Sequence, residues 1–283
     1  MIPKAILFLS SILLISAYSS GQVPNLDWPI EIVSQGHGFT EGPTLAPDGQ
    51  VFFSDMDNEF ILRFNPASGT TIVWQNESMK SNGLYMHENS LYACEAGGRS
   101  VVRYDLSMGP DSREVLVSKY QEDMLRGPND LTFIGDDLFF SDFSGGRVYS
   151  MSINSQSLDT IPFNFENPNG IFSSQDGKQL YITDFGTDKI YKAELINGQV
   201  GPVRLVVDLT TYKLYDPDGL AVSEDGHIFQ ALYGSERVVV IAPDGKVIGY
   251  LPTGPLTSNC VFAKDGKTLY ITADKKLMRV VIP

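Results

Sequence analysis

Six side chains that carry an oxygen ligand recur along this 283-residue chain. Each stands immediately before a short apolar segment that turns and returns as a second apolar segment. They lie 40 to 49 residues apart and are Glu41, Asn82, Asn129, Asn169, Asp218 and Asn259. Carboxylate and carboxamide oxygens are the ligands that hard divalent cations such as calcium prefer. If the fold brings the six together, they form a ring of two carboxylates and four carboxamides that can bind such a cation.

The spacing of these residues predicts how they come together. A repeat of roughly 40 to 50 residues built from short strands is typical of a β-propeller, in which each repeat is a four-stranded blade beside a central channel. The second strands are rich in β-branched and aromatic residues, as in Val51-Phe52-Phe53 and Leu180-Tyr181-Ile182. The sequence therefore predicts an all-β fold, a single six-bladed propeller over residues 22–283. The six oxygen-bearing side chains are expected at one mouth of its channel.

The ends of the repeat array predict how the propeller closes. The sixth repeat ends at Pro283 after only three strands, which would leave an unpaired edge. The segment Ile30-Glu31-Ile32-Val33 precedes the first repeat and starts with the apolar and polar alternation of a strand. We expect this N-terminal strand to pair beside Met278-Arg279-Val280-Val281 and complete the last blade.

The first 21 residues have the features of a secretory signal peptide. Lys4 is followed by an apolar run over residues 5–17 and by small and polar residues up to Gly21. That run is too short to span a bilayer. We therefore expect an exported protein, periplasmic or secreted, without membrane insertion. Cys94 and Cys260 fall in repeats two and six, which are not neighbours in a six-membered ring, so we expect both to remain unpaired thiols.

Charge and motif content exclude several function classes. The chain has 34 acidic and 21 basic residues, a formal net charge of −13. Nucleic acid and anionic membranes would be repelled by this field, so a small molecule is the expected partner and a monomer or weak dimer the expected state. The three histidines lack metal-ligand spacing, and the absence of a Gly-x-Ser-x-Gly segment argues against a serine hydrolase.

Segments around the six residues, taken in order, resemble the gluconolactonase, regucalcin and luciferin-regenerating-enzyme family of six-bladed propellers. The resemblance covers essentially the whole chain after the predicted signal. It rests on these segments: Glu41-Gly42-Pro43, Asn82-Gly83-Leu84, Cys94-Glu95, Gly127-Pro128-Asn129-Asp130, Asn167-Pro168-Asn169-Gly170, Asp216-Pro217-Asp218-Gly219 and Ser258-Asn259-Cys260.

The resemblance implies a divalent metal site and a reaction. It implies Glu41, Asn169 and Asp218 as metal ligands, joined by Asn129 as in bacterial gluconolactonases and diisopropylfluorophosphatase. Calcium is the implied ion, with zinc, manganese and magnesium as alternatives. Asp218 would also act as general base or nucleophile, and the sequence leaves both roles open.

Four further residues are candidates for substrate binding. Asn82 and Asn259 are the remaining residues of the ring, and Asp130 is the acid beside Asn129. Arg126 lies at a position offset from the substrate arginine of the regucalcins. The chain also departs from the family at Ala96, where gluconolactonases frequently have histidine. Both departures concern the substrate rather than the metal ligands.

The expected activity is metal-dependent hydrolysis of a lactone or a related ester. Two alternatives stay open: a non-catalytic propeller that binds a ligand or a partner, and an organophosphate-hydrolysing relative of diisopropylfluorophosphatase. Asn or Asp before Gly can also be a simple turn feature. Six such residues in register favour a site.

Overall fold

Each of the six repeats folds into an antiparallel sheet, so the predicted all-β, six-bladed propeller is confirmed. The computed structural model describes residues 23–196 and 199–283, and the signal peptide predicted at residues 1–21 lies outside them. Helical structure in the described residues is limited to two 3₁₀ turns, Pro110–Ser112 and Leu209–Tyr212. None of these residues belongs to a helix that could cross a membrane.

The first three blades follow one another along the chain. Blade 1 consists of Thr40–Leu45, Val51–Asp55, Phe60–Asn65 and Thr70–Gln75. Blade 2 consists of Ser81–His87, Ser90–Glu95, Ser100–Asp105 and Glu114–Val117. A small hairpin then precedes blade 3, formed by Lys119–Tyr120 and Asp123–Met124. Blade 3 consists of Pro128–Ile134, Asp137–Asp142, Arg147–Ser152 and Leu158–Thr160.

The last three blades include one short additional strand and the closure. Blade 4 consists of Pro168–Ser173, Gln179–Asp184, Lys189–Ile196 and Arg204–Asp208, and Gln199–Val200 also pairs with its third strand. Blade 5 consists of Pro217–Val222, Ile228–Leu232, Arg237–Ile241 and Val247–Pro252. Blade 6 consists of Thr257–Phe262, Thr268–Ala273, Lys276–Val281 and Ile30–Gln35.

The N-terminal strand closes the ring as predicted. Ile30–Gln35 pairs antiparallel with Lys276–Val281, and Ile32 lies opposite Met278. Glu31 and Arg279 add an ion pair at 2.5 Å on this outer edge. Because the first and last segments share one sheet, the third strand of blade 6 is paired on both sides and the two ends of the described chain are tied together.

The core lies between the blades, and the first strands surround the channel. First strands of neighbouring blades contact one another around the whole circle, including blade 6 with blade 1. Second strands are buried on both faces, as in Val51–Asp55 and Ile228–Leu232. Cys94 and Cys260 are both buried and unpaired, in blades that are not neighbours, which confirms the expectation of free thiols.

Candidate functional site at the channel mouth

A break in strand register accompanies each of the six predicted residues. Each first strand starts in register with the second strand and then shifts around the predicted residue, for example between Pro168 and Ile171 and between Pro217 and Leu220. The same shift occurs in all six blades. A bulge of this kind leaves residues unpaired and redirects their side chains. The repeated bulge explains why the predicted residue reaches the same place in five blades, while in blade 3 the next residue, Asp130, reaches it.

Glycines after four of the six residues let the first strands approach one another closely. A Cβ atom at Gly42, Gly83 or Gly170 would overlap the backbone or side chain of the following blade, and at Gly219 it would overlap the Asn259 carboxamide. The Asn-Gly and Asp-Gly pairs at the ring thus serve blade packing, with turn formation secondary. Blade 3 has Asp130 at the glycine position, and this carboxylate fills the space beside Gly83.

Hydroxyl groups from neighbouring blades fix the backbone of the ring. Ser54 of blade 1 donates to the Asn82 carbonyl at 2.7 Å, and Ser141 of blade 3 donates to the Asn169 carbonyl at 2.5 Å. Thr183 of blade 4 donates to the Asp218 carbonyl at 2.9 Å. These bonds run from one blade to the next, so the position of each ring residue depends on its neighbour.

The side chains converge across the channel into one cluster, which we call the inner ring. Its members are buried and are Glu41, Asn82, Asp130, Asn169, Asp218 and Asn259. Asn259 Nδ2 donates to Asp130 Oδ2 at 3.3 Å, a bond between opposite blades 6 and 3. The Asn259 carboxamide also lies against Glu41, and that of Asn169 lies against Asp218.

The three carboxyl groups of the inner ring repel one another. Burial raises the pKa of Glu41 to about 8 and that of Asp130 to about 6. Burial, followed by the charges of Glu41 and Asp130, raises the pKa of Asp218 well above its usual range. Three buried carboxylates are costly to ionise together without a compensating charge. A bound cation would provide that charge.

One buried acceptor in the ring has no hydrogen-bond partner. Asn169 Oδ1 is buried and unpaired, which is costly unless a ligand satisfies it. In the part of the chain that the structure describes, no three histidine, cysteine, aspartate or glutamate side chains alone are placed to hold a metal ion. A cation here must therefore take carboxamide oxygens as ligands. The unpaired Asn169 Oδ1 is suited to bind such a cation.

The other predicted site residues are placed differently. Asn129 is half-buried beside Asp130 at the start of blade 3. Arg126 is exposed and lines a small cavity with Asp123, Asp142 and Tyr149, so the structure does not bring it into the inner ring. Its backbone N–H donates to the Asp142 carboxylate, and its side chain is exposed. The functional roles of both residues remain predictions.

A second set of equivalent residues lies one step outside the inner ring, and sequence reasoning missed it. Each follows the end of a second strand, and its N–H donates at 2.8–3.2 Å to a carbonyl in the segment that leads into the first strand of the same blade. We call this set the outer ring: Met56, Ala96, Phe143, Phe185, Tyr233 and Asp274. Aligning the second strands and reading one residue further would have found it.

Comparison with known proteins places the whole propeller in one family. Residues 39–275 match the family described as the SMP-30/Gluconolactonase/LRE-like region. A gluconolactonase from Zymomonas mobilis is 25% identical, covering 89% of this chain and 81% of its own length. The pentonolactonase XacC from Haloferax volcanii is 26% identical, covering 82% and 80%.

Solved structures show the same fold. A gluconolactonase from Xanthomonas campestris has a TM-score of 0.82 at 24% identity and covers 92% of this chain and 91% of its own. Regucalcin from Agrobacterium tumefaciens, described as a calcium-binding protein, has a TM-score of 0.76 at 19% identity, with 90% and 94% covered. Both confirm a six-bladed architecture of this type.

Proposed function

Because the chain belongs to the SMP-30/gluconolactonase/LRE-like family, we propose that it is a metal-dependent hydrolase of lactones or related esters. The observation that carries this proposal is the inner ring, which combines three buried carboxyl groups with an unpaired carboxamide oxygen. Such a set is unfavourable alone and suited to a divalent cation. The gluconolactonase and pentonolactonase relatives support a lactone as the substrate.

The residues present fit calcium. Glu41, Asn129, Asn169 and Asp218 would hold it with oxygen ligands only, a set that favours calcium over zinc. The description of regucalcin as calcium-binding supports the same ion. When bound, the ion would supply Lewis-acid stabilisation of negative charge on the substrate carbonyl oxygen.

Asp218 is the group proposed to act on the substrate. It lies in the ring beside Glu41 and Asn169, and it must be ionised to act. It then either accepts a proton from the attacking water or attacks the carbonyl carbon directly. In both routes the ring C–O bond of the lactone breaks and the leaving alkoxide takes up a proton. Water attack releases the hydroxy acid at once, whereas direct attack leaves the acyl group on Asp218 until a second step, in which water hydrolyses that acyl-enzyme and releases the hydroxy acid.

Other inner-ring residues would orient the substrate. Asp130 accepts hydrogen bonds from the backbone N–H of Leu131 and from Asn259, which fixes its carboxylate. Asn82 and Asn259 carry N–H groups that can donate to oxygen atoms of a lactone. We propose them as substrate contacts.

A hydrolysis screen tests the proposal. Acid release from lactones, aryl esters and a phosphotriester would be followed with a pH indicator, with calcium and with EDTA, beside Asp218→Asn as the inactive control. We expect lactone turnover that EDTA abolishes and calcium restores. Turnover of the phosphotriester alone would favour the diisopropylfluorophosphatase-like alternative. Calcium binding without any turnover would favour a non-catalytic binding propeller.

We also propose export, from the signal-like residues 1–21. Mass spectrometry of the intact protein recovered from a bacterial host should show cleavage near Gly21 and recovery outside the cytoplasm. An uncleaved cytoplasmic chain would contradict this.

A further inference from the structure

Four aromatic side chains form a continuous arc at the channel mouth. Phe143 contacts Phe185 with ring centroids 5.5 Å apart, Phe185 contacts Tyr233 at 6.3 Å, and Tyr233 contacts Phe39 at 6.1 Å. All three pairs meet edge to face, at interplanar angles of 60–81°. The arc therefore links blades 3, 4 and 5 with the segment that leads into blade 1.

The arc lies over the inner ring. Phe39 precedes Glu41 by two residues, and the Tyr233 N–H binds the carbonyl of Asp216, two residues before Asp218. The Tyr233 side chain is half-buried, and its pKa is raised by burial and then by the charges of Asp218 and Glu41. Blade 6 separates blades 5 and 1, so contact between Tyr233 and Phe39 requires that both rings lean inward over the channel.

On the opposite side of the mouth, the side chains at the outer position are small. Blade 2 contributes Ala96 to the outer ring, followed by Gly97 and Gly98. The Arg99 side chain turns away, since its Nε donates to the Leu125 carbonyl. The mouth thus has an aromatic wall on one side, whereas the outer position of blade 2 carries only the methyl group of Ala96, which we call the gap. Met79 and Lys80 lie in the adjoining segment before the first strand of blade 2.

This wall offers few partners to a polyhydroxylated substrate. Charged groups act only on the Tyr233 end of the wall, from Asp216, Asp274 and the inner-ring carboxyl groups. The Phe143 and Phe185 rings carry no hydrogen-bonding group, and the nearby Asn167 carboxamide already donates to the Phe143 carbonyl at 3.2 Å. Hydroxyl groups pressed against aromatic rings lose hydrogen bonds to water without replacement. An alkyl or aryl group gains binding free energy from the same contact, because its apolar surface is removed from water.

We propose, resting on the proposed lactonase function, that the aromatic arc selects lactones that carry an apolar alkyl or aryl substituent over polyhydroxylated sugar lactones. The lactone carbonyl lies at the inner ring, and the substituent packs against Phe143, Phe185 and Tyr233. The gap at Ala96 admits it. Each buried methylene should raise kcat/KM by roughly fourfold.

Three δ-lactones with the same six-membered ring test this proposal: unsubstituted δ-valerolactone, alkyl-bearing δ-decalactone and hydroxylated glucono-δ-lactone. For the unaltered protein we expect kcat/KM for δ-decalactone to exceed the other two by about tenfold or more. Phe185→Ala should lower kcat/KM for δ-decalactone by about tenfold, mainly through KM, and change δ-valerolactone by about twofold or less.

Two further variants separate specificity from folding. Phe163→Ala is the matched control, because Phe163 is a half-buried phenylalanine that packs on Phe165 and Tyr191 away from the mouth. Phe163→Ala should leave the ratios of kcat/KM among the three lactones unchanged. Ala96→Phe adds a ring at the gap and should exclude δ-decalactone while sparing δ-valerolactone.

The possible failures are distinguishable. If neither these three lactones nor the lactones and aryl esters of the hydrolysis screen are hydrolysed, the proposed function fails and this proposal fails with it. If lactones are hydrolysed but glucono-δ-lactone is the best substrate, or Phe185→Ala changes all three equally, the selectivity proposal alone is overturned.

Discussion

The outer ring occupies equivalent positions in all six blades and the inner ring in five, since blade 3 contributes Asp130 one residue later, yet the side chains of the two rings vary to different degrees. Every blade contributes an oxygen-bearing residue to the inner position, whereas the outer position ranges from Ala96 through Met56 to Phe185. The inner ring is constrained by bulges, by glycines that a Cβ would block and by hydroxyls from neighbouring blades. The outer residues share only one backbone hydrogen bond each. The backbone geometry is therefore fixed where the cation and the reaction are proposed, whereas the side chains differ from blade to blade where substrate selection is proposed.

The largest expected effect tests the inner ring at Asp218. Asp218→Asn keeps an oxygen ligand and nearly the same volume but removes the charge and the base. We expect kcat to fall by roughly 10² to 10⁴-fold while calcium still binds, more weakly. Hydrolysis and calcium titration of the same preparation measure the two effects separately.

Asp244→Asn is the control, because Asp244 is an exposed turn residue of the same blade and an asparagine oxygen can replace its carboxylate as hydrogen-bond acceptor. Recovery of normal turnover at saturating calcium would reduce Asp218 to a ligand.

A second prediction concerns Asn169, which is proposed to act through the metal alone. Asn169→Ala removes the unpaired buried oxygen, so activity at limiting calcium should fall by roughly 10 to 100-fold. Excess calcium should restore part of it, in contrast to Asp218→Asn. The measurement is initial rate across a calcium titration. A loss that no calcium concentration improves would show that Asn169 contacts the substrate or supports the fold.

A third prediction uses the pH dependence of the inner ring. Burial raises the pKa of Glu41 from 4.5 to about 8, so in the metal-free protein its protonated form is favoured. The contribution of the Glu41 carboxyl group to the stability of the metal-free protein is fully present below about pH 4.5 and is lost as pH rises through about 8. Calcium must displace the proton, so the rise in Tm on adding calcium should grow between about pH 5.5 and pH 8.

Thermal unfolding with calcium and with EDTA at each pH measures this effect. Glu41→Gln cannot titrate and should flatten the dependence. An unchanged calcium effect across the range in the unaltered protein would show that the cation binds away from Glu41.

The smallest expected effect tests the support beneath the inner ring. Ser141→Ala removes the hydroxyl that binds the Asn169 carbonyl and accepts from the Asp130 N–H at 3.0 Å. We expect a loss of about 1 kcal/mol in the free energy of unfolding, measured by urea denaturation, and a modest loss of calcium affinity. Ser150→Ala, a half-buried serine in the next strand of blade 3, is the control. Equal effects in both variants would mean that the inner ring does not depend on this bond.

Much of the fold was predictable from the sequence because propeller blades are equivalent units. Six repeats of similar length fixed the number of blades, and a sixth repeat lacking one strand required Ile30–Gln35 to complete it. Convergence of Glu41, Asn169 and Asp218 followed from their shared position in the repeat. Each of these inferences needs only the order of residues and the geometry of closure.

The sequence by itself determined the six-bladed fold and the oxygen-rich character of one channel mouth, since both follow from a pattern that repeats. Only the tertiary structure decided the details that break the repeat. Asp130 replaces a glycine and reaches Asn259 on the opposite blade, Arg126 turns outward, and Phe39 meets Tyr233 over the channel. These contacts join residues far apart in sequence whose directions depend on bulges and loop geometry. No local sequence pattern predicts these side-chain directions, because they depend on contacts between the six blades.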